Sequence, residues 1–177
     1  MNTLDAINAR TSYRGKFENT AIPREDLIKI MEAGLAAPSG SNKQTVSLIT
    51  VDDPATLDEL AKICSPLKNQ PAPAIICILT QQIPAYKGRC FHIQDYSAAI
   101  ENILLAIVSL GYESCWYEGT VKDDDEIGKK MAAILGVPDD YELISYSPVG
   151  IASEPVSFPK RKAFAERAWF NGFKMNP

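Results

Sequence analysis

Asp95-Tyr96-Ser97-Ala98-Ala99-Ile100-Glu101-Asn102-Ile103-Leu104-Leu105-Ala106-Ile107-Val108-Ser109-Leu110 is the stretch on which the fold turns. Its apolar residues recur at helical spacing, and Tyr96, Ala99, Ile100, Ile103, Leu104, Ile107 and Val108 cover most of the circumference. A helix apolar almost all round is buried, either centrally or at a subunit interface. Gly111 stops it, and Tyr112 to Tyr117 reads as a returning strand.

Working back from that helix, Ala74 to Leu79 is a short apolar run of the kind buried on both faces of a sheet. Val46 to Val51 is a strand by its β-branched content, and Pro54 to Ile63 is a helix. Thr3 to Arg10 makes a short helix with Leu4 and Ile7 on one face. Pro23, in the favoured first-turn position, opens another with Glu25 and Asp26 at its positive end. Leu27, Ile30, Met31 and Leu35 supply its buried stripe, and Pro38-Ser39-Gly40-Ser41-Asn42 breaks it.

Forward from the central helix, the acidic run Asp123-Asp124-Asp125-Glu126 reads as a helix N-terminus, a solvated cap in preference to a metal site. That helix continues to Leu135. Tyr141 to Ile151 is the final strand, and Pro148 within it suits an edge or a strand end. Strands alternating with helices predict an α/β or α+β sandwich. Beyond Ser153 the chain turns polar, then aromatic at Trp169, Phe170 and Phe173, with too little core of its own. It is expected to dock on the domain or to wrap a partner subunit.

Length and charge bound the function. A chain of 177 residues fits one domain spanning 1–177, with 153–177 as an extension. The net charge of −4 argues against a nucleic-acid partner. The longest strongly apolar stretch, Ile103 to Val108, falls far short of the ~20 residues that span a bilayer. Met1 to Asp5 offers neither a basic start nor an apolar run, so a cytoplasmic protein is expected. The 4 cysteines are scattered without a CxxC, and His92 is the only histidine, which fits neither a zinc site nor a disulfide framework. A Ser-His-Asp or Cys-His hydrolase is disfavoured, and an organic cofactor is expected to carry any chemistry.

Several segments hold the polar groups that such a cofactor needs. Arg10-Thr11-Ser12-Tyr13-Arg14 offers guanidinium forks and hydroxyls that suit a phosphate, or it is simply the basic end of a helix. Pro38-Ser39-Gly40-Ser41-Asn42-Lys43-Gln44 offers amides and carboxamides that match the edge of a flavin, or it is a self-capping loop. Cys115-Trp116-Tyr117-Glu118-Gly119 ends a strand, where ligands often sit, and Gly119 permits close approach of a planar ring. Lys160-Arg161-Lys162 is a basic cluster in an acidic protein. Singly, each reads as well without a ligand.

Taken in order and spacing, these segments resemble the nitroreductase-like FMN family over nearly the whole chain. Arg10-x-Ser12-x-Arg14 resembles that family's N-terminal flavin motif, and Pro38-Ser39-Gly40-Ser41-Asn42-x-Gln44 its Pro-Ser-Ser-x-Asn-x-Gln loop. Asp95 to Asn102 with Leu110-Gly111 resembles its central dimer helix, and Trp116-Tyr117-Glu118-Gly119 the segment facing flavin N5. Gly150 and Lys160-Arg161-Lys162 resemble its closing strand and basic extension.

The resemblance implies an α+β fold with a central, mostly antiparallel sheet and an extension that reaches the partner subunit. It implies FMN as cofactor, NADH or NADPH as reductant, and a small electron-poor acceptor of nitroaromatic or quinone type. Arg10, Thr11, Ser12 and one or two of Lys160, Arg161 and Lys162 would surround the phosphate. Arg14 would lie near flavin N1 and O2. Pro38, Ser39, Gly40, Asn42 and Gln44 would come from the other subunit of a homodimer with shared sites, and Tyr117, Glu118 and Gly119 would face N5.

The chain departs from the family's pattern at Thr45-Val46 after Gln44, at Gly40 in place of the commoner Ser, and at Ala163. The span Thr80 to Asp95 is short, which predicts an open site with Tyr86 and His92 at its mouth or simply exposed. The alternatives are a flavin-binding protein without turnover, or a specialised dehydrogenase or dehalogenase on the same fold.

Overall fold

The computed structural model describes residues 1–122 and 126–173. The acidic residues Asp123, Asp124 and Asp125 therefore lie outside the described residues. Helix α1 (Thr3–Ala9) is opened by Asn2, whose side chain accepts from the Asp5 N–H at 2.9 Å. It ends one residue early, because Arg10 is extended. Helix α2 (Arg24–Leu35) begins after Pro23, which stands just outside it. Strand β1 (Val46–Val51) leads to α3 (Pro54–Ile63), capped by Asp53 onto the Thr56 N–H at 2.8 Å. A short α4 (Ser65–Asn69) precedes β2 (Ala74–Thr80).

The central helix α5 (His92–Ser109) starts three residues before the expected Asp95. Two short helices follow, α6 (Gly119–Lys122) and α7 (Ile127–Ile134), then β3 (Glu142–Val149). Glu126, just before α7, is left-handed at φ 53° and makes no side-chain cap.

The sheet is antiparallel throughout, in the order β1-β2-β3. Every residue of the central β2 is buried, as its continuous apolar run requires. One face carries Ala74, Ile76 and Ile78 against Leu27, Ile30, Ile100, Ile103 and Ile107 of α2 and α5. On the other face, Ile75, Cys77 and Leu79 meet Leu60, Leu67, Met131 and Tyr146. Helices thus cover both faces of the sheet, which makes the α+β sandwich that the alternation predicts. Gly34 lets α2 close on α5: a Cβ there would lie 2.7 Å from Ile103 Cγ1.

Two expectations are corrected. Leu35 is 56% exposed, and Gly34 takes its place in the buried stripe of α2, since the stripe follows the contact with α5. The strand expected over Tyr112 to Tyr117 is reduced to two bridges, Glu113 with Gly150 and Tyr117 with Tyr146. Their shared register sets Cys115 opposite Pro148, which has no N–H to give. The ladder opens there: Pro148 pairs with Ile75 of β2 and turns its nitrogen toward the outer edge of β3, in agreement with an edge role. Among the described residues no helix is long and apolar enough to cross a membrane.

Candidate cofactor site

The extended segment after α1 is held between two partners. The Tyr13 N–H donates to the Ser114 carbonyl at 2.8 Å, and Phe17 bridges Ala152. Thr11, buried, donates through its hydroxyl to the Ser157 carbonyl at 3.0 Å, which ties the tail down. Arg161 Nη2 donates to the Arg10 carbonyl at 3.3 Å. All three of Lys160, Arg161 and Lys162 are exposed, and Arg161 reaches this segment through that bond.

The cations here are poorly neutralised. Arg10 Nε lies 3.7 Å from Glu101 Oε1, a distance at which an exposed pair contributes little. The buried Cys115 thiol donates to the Trp116 carbonyl at 3.7 Å and lies within the influence of Ser12, Arg14 and Arg10. Burial pushes that thiol's pKa up, and Arg14, Ser12 and Arg10 each pull against the shift. Arg10, Ser12, Arg14 and Arg161 therefore gather at the edge formed by residues 113–115.

Two networks fix the adjoining segment. The Tyr117 hydroxyl donates to Gln70 Oε1 at 2.9 Å, and the Gln70 amide donates to the Arg14 carbonyl. The Tyr117 ring stacks on Tyr146, with centroids 5.0 Å apart and planes at 10°. One residue on, Glu118 Oε1 accepts from the Tyr96 hydroxyl at 3.0 Å and pairs with Lys122 Nζ at 2.8 Å. Lys122 Nζ also donates to the Tyr96 oxygen at 3.1 Å. Burial lowers the Lys122 pKa, but Glu118 and Tyr96 outweigh it and hold the ammonium above its ordinary value. Gly119 next to them has, among the described residues, no heavy atom beyond its chain neighbours and its own helix within 4 Å of where a Cβ would stand.

The loop 38–44 lies elsewhere. Its 3₁₀ turn, Gly40–Asn42, packs on the start of α5, where Asp95 Oδ1 accepts from the Gly40 N–H at 2.8 Å. Ser39 Oγ accepts from the Gln44 N–H at 2.9 Å, and the side chains of Asn42 and Gln44 face solvent. Asp95 and Glu101 are six positions apart on α5, so the loop and Arg10 meet it about 9 Å apart along the axis and roughly 120° apart around it. Within one chain, then, the predicted residues form two groups: Arg10 to Arg14 with Tyr117 to Gly119 and Arg161, and the loop from Pro38 to Gln44.

A model described as the Nitroreductase family matches residues 7–71 and 68–151. The chain belongs to the nitroreductase family. It is thus an oxidoreductase by family, and both groups of residues fall inside the match except Arg161, which lies beyond it with Lys160 and Lys162. A protein of Archaeoglobus fulgidus named "Putative NADH dehydrogenase/NAD(P)H nitroreductase" is 31% identical over 158 residues, 88% of each chain. Among solved structures, a Bacteroides fragilis nitroreductase with bound FMN is 27% identical with a TM-score of 0.75, covering 96% of this chain and 98% of that one. An FMN-dependent nitroreductase of Clostridium difficile R20291 is 28% identical with a TM-score of 0.79, covering 96% and 99%.

Nitroreductase motifs alone do not point to Gln70, Asp95, Tyr96 or Lys122 as parts of this site. Gln70 carries no local signal, being an isolated amide after α4. Asp95 is the exception that a closer reading reaches, since a carboxylate inside an apolar helix needs a partner. A surface hollow lined by Val121, Gly128, Ala132, Tyr141 and Leu143 contains none of the predicted residues among its described lining.

Proposed function

We propose that the chain binds FMN and works as an NAD(P)H-dependent oxidoreductase on a small electron-poor acceptor of nitroaromatic or quinone type. The observation that carries this reading is Gly119. Its φ is not in the left-handed region and, among the described residues, no atom beyond its chain neighbours and its own helix stands within 4 Å of its missing Cβ, so no packing among them requires glycine there. Close approach of a planar ring would. The donor set agrees: Arg10, weakly paired with Glu101 at 3.7 Å, stands with Ser12, Arg14 and Arg161, and such a set suits a phosphate and an anionic ring edge.

Bound FMN would supply the hydride relay at N5, taking hydride from NADH or NADPH and passing it to the acceptor in two half-reactions. The chain's own part is binding and orientation. Arg10, Ser12 and Arg161 neutralise the phosphate, with Lys160 and Lys162 at the rim, and Thr11 holds the tail in place for this. Arg14, its carbonyl gripped by Gln70, presents its guanidinium toward the pyrimidine edge, where positive charge favours the reduced cofactor. Glu118 and Gly119 present backbone to the ring, with Glu118 fixed by Tyr96 and Lys122 and Tyr117 anchoring the segment through its backbone pairing with Tyr146. No side chain acts as a general base.

The loop Pro38, Ser39, Gly40, Asn42 and Gln44 serves the site of a second copy, in a homodimer that works in the cytoplasm as a single-domain protomer of residues 1–177. Exposed Leu4, Ile7, Ile28, Leu35 and Ile93 on α1, α2 and the start of α5 support an interface there. Exposed Phe158, Phe164, Phe170 and Phe173 suit a 153–177 extension that wraps the partner.

The visible spectrum of the purified protein tests the proposal. Flavin bands that bleach when NADH or NADPH is added without oxygen are expected. A colourless protein that takes up no added FMN would sink it.

A further inference from the structure

Asp95 is one of few charged residues buried in this fold, at 3% exposure, and both its oxygens are used on one loop. Oδ1 accepts from the Gly40 N–H and Oδ2 from the Thr45 hydroxyl, each at 2.8 Å, with Thr45 itself 1% exposed. The carboxylate therefore spans the loop from its first turn to its last residue before β1.

What it spans is strained. Ser41, Asn42 and Gln44 hold φ of 52°, 54° and 49°, the left-handed region that side chains other than glycine rarely adopt. Such a backbone persists only where its surroundings over-determine it, and clusters of this kind belong to functional segments. Three further contacts add to the constraint. Ser39 Oγ accepts from the Gln44 N–H, the Gln81 N–H donates to the Thr45 carbonyl at 3.0 Å, and Phe91 fills the space beside Gly40. Asp95 is the one member that is charged, buried and bonded at both ends of the strained stretch.

We infer that Asp95 is a positioning residue: through Gly40 and Thr45 it locks the 39–45 loop in the strained shape that carries Asn42 and Gln44 to the cofactor. The inference rests on the reading of that loop as an FMN contact. Loss of the clamp lets Ser41, Asn42 and Gln44 relax to ordinary φ values, and the loop then has to be re-ordered each time FMN binds. That cost falls on affinity, in the way any loss of preorganisation does. The departure at Thr45 thereby acquires a purpose, since its hydroxyl is one of the two groups that Asp95 holds.

Asp95→Asn, Thr45→Val and Thr45→Ser in the full chain test this, with FMN dissociation constants read from the change in flavin fluorescence and thermal midpoints read alongside. Asp95→Asn and Thr45→Val are expected to weaken FMN roughly tenfold, while Thr45→Ser, which keeps the hydroxyl, restores wild-type affinity. Should Asp95→Asn not fold, the Thr45 pair decides alone. A purely structural role would lower the midpoint and leave the dissociation constant of the folded protein unchanged, and that result overturns the inference. A wild-type protein that takes up no FMN brings down the functional reading and this inference together. Wild-type uptake with indifferent variants brings down only the inference.

Discussion

Residue choices at this site are most informative where the chain's own packing does not demand them. Gly119 opens α6, and a Cβ there would have no described atom beyond its chain neighbours and its own helix within 4 Å. Gly119→Val is therefore expected to change stability by no more than about 0.5 kcal/mol, as surface substitutions do. The same side chain would occupy the space assigned to the flavin ring, and FMN should bind about tenfold more weakly or worse. Thermal melting of the apoprotein and a flavin titration separate the two effects; unchanged FMN affinity would remove Gly119 from the site. Buried thiols make the opposite point. The Cys77 pKa is pushed up to about 12 by burial in the core, which marks that residue as packing rather than chemistry.

At the level of elements, the 38–44 loop and the start of α5 form one unit. A Cβ on Gly40 would lie 2.7 Å from Phe91 Cβ and 2.9 Å from its ring, so Phe91 occupies the room that a serine would need. This accounts for the glycine where the family commonly has Ser. Gly40→Ala is expected to cost about 1–3 kcal/mol by overpacking. In a Phe91→Gly background, which removes the Cβ as well as the ring, that cost should largely vanish, because the two sites are in contact and couple. A double-mutant cycle by denaturant unfolding measures it, and additive costs would show that some other contact excludes the side chain. On the opposite edge of the sheet, the segment 113–117 stays attached to β3 by its two bridges only, with Pro148 in the gap.

For the whole molecule, the separation of the predicted residues into two groups about α5 is the central fact. If each FMN is held by Arg10 of one protomer and the loop of its partner, defects in the two groups complement each other. Arg10→Ala and Asn42→Ala homodimers should both lose FMN. Subunits mixed and re-associated should recover roughly a quarter of wild-type FMN binding, because half of the dimers then carry one intact site. No recovery on mixing, with heterodimers present by mass, would mean that both groups act on one site within a protomer.

How much of this was legible in the sequence divides along a physical line. The helix α5, the doubly buried β2 and the break at Pro38 were readable because periodicity, continuous apolarity and turn chemistry are local properties. The basic and polar segments were readable as candidates for the same reason. Leu35, by contrast, follows the helical pattern and is exposed, because which face of α2 is buried depends on where α5 packs. The strand expected after Gly111 failed through Pro148, a residue far along the chain that only the sheet register brings opposite Cys115.

The site was decided in the same way. Arg161 meets Arg10 across 151 positions, Gln70 meets Arg14 across 56, and Asp95 meets Thr45 across 50. By itself the sequence determined which elements form and which residue types are on offer to a cofactor. Which of them meet was left to the tertiary structure, since such contacts depend on register and packing angle, which no local pattern encodes.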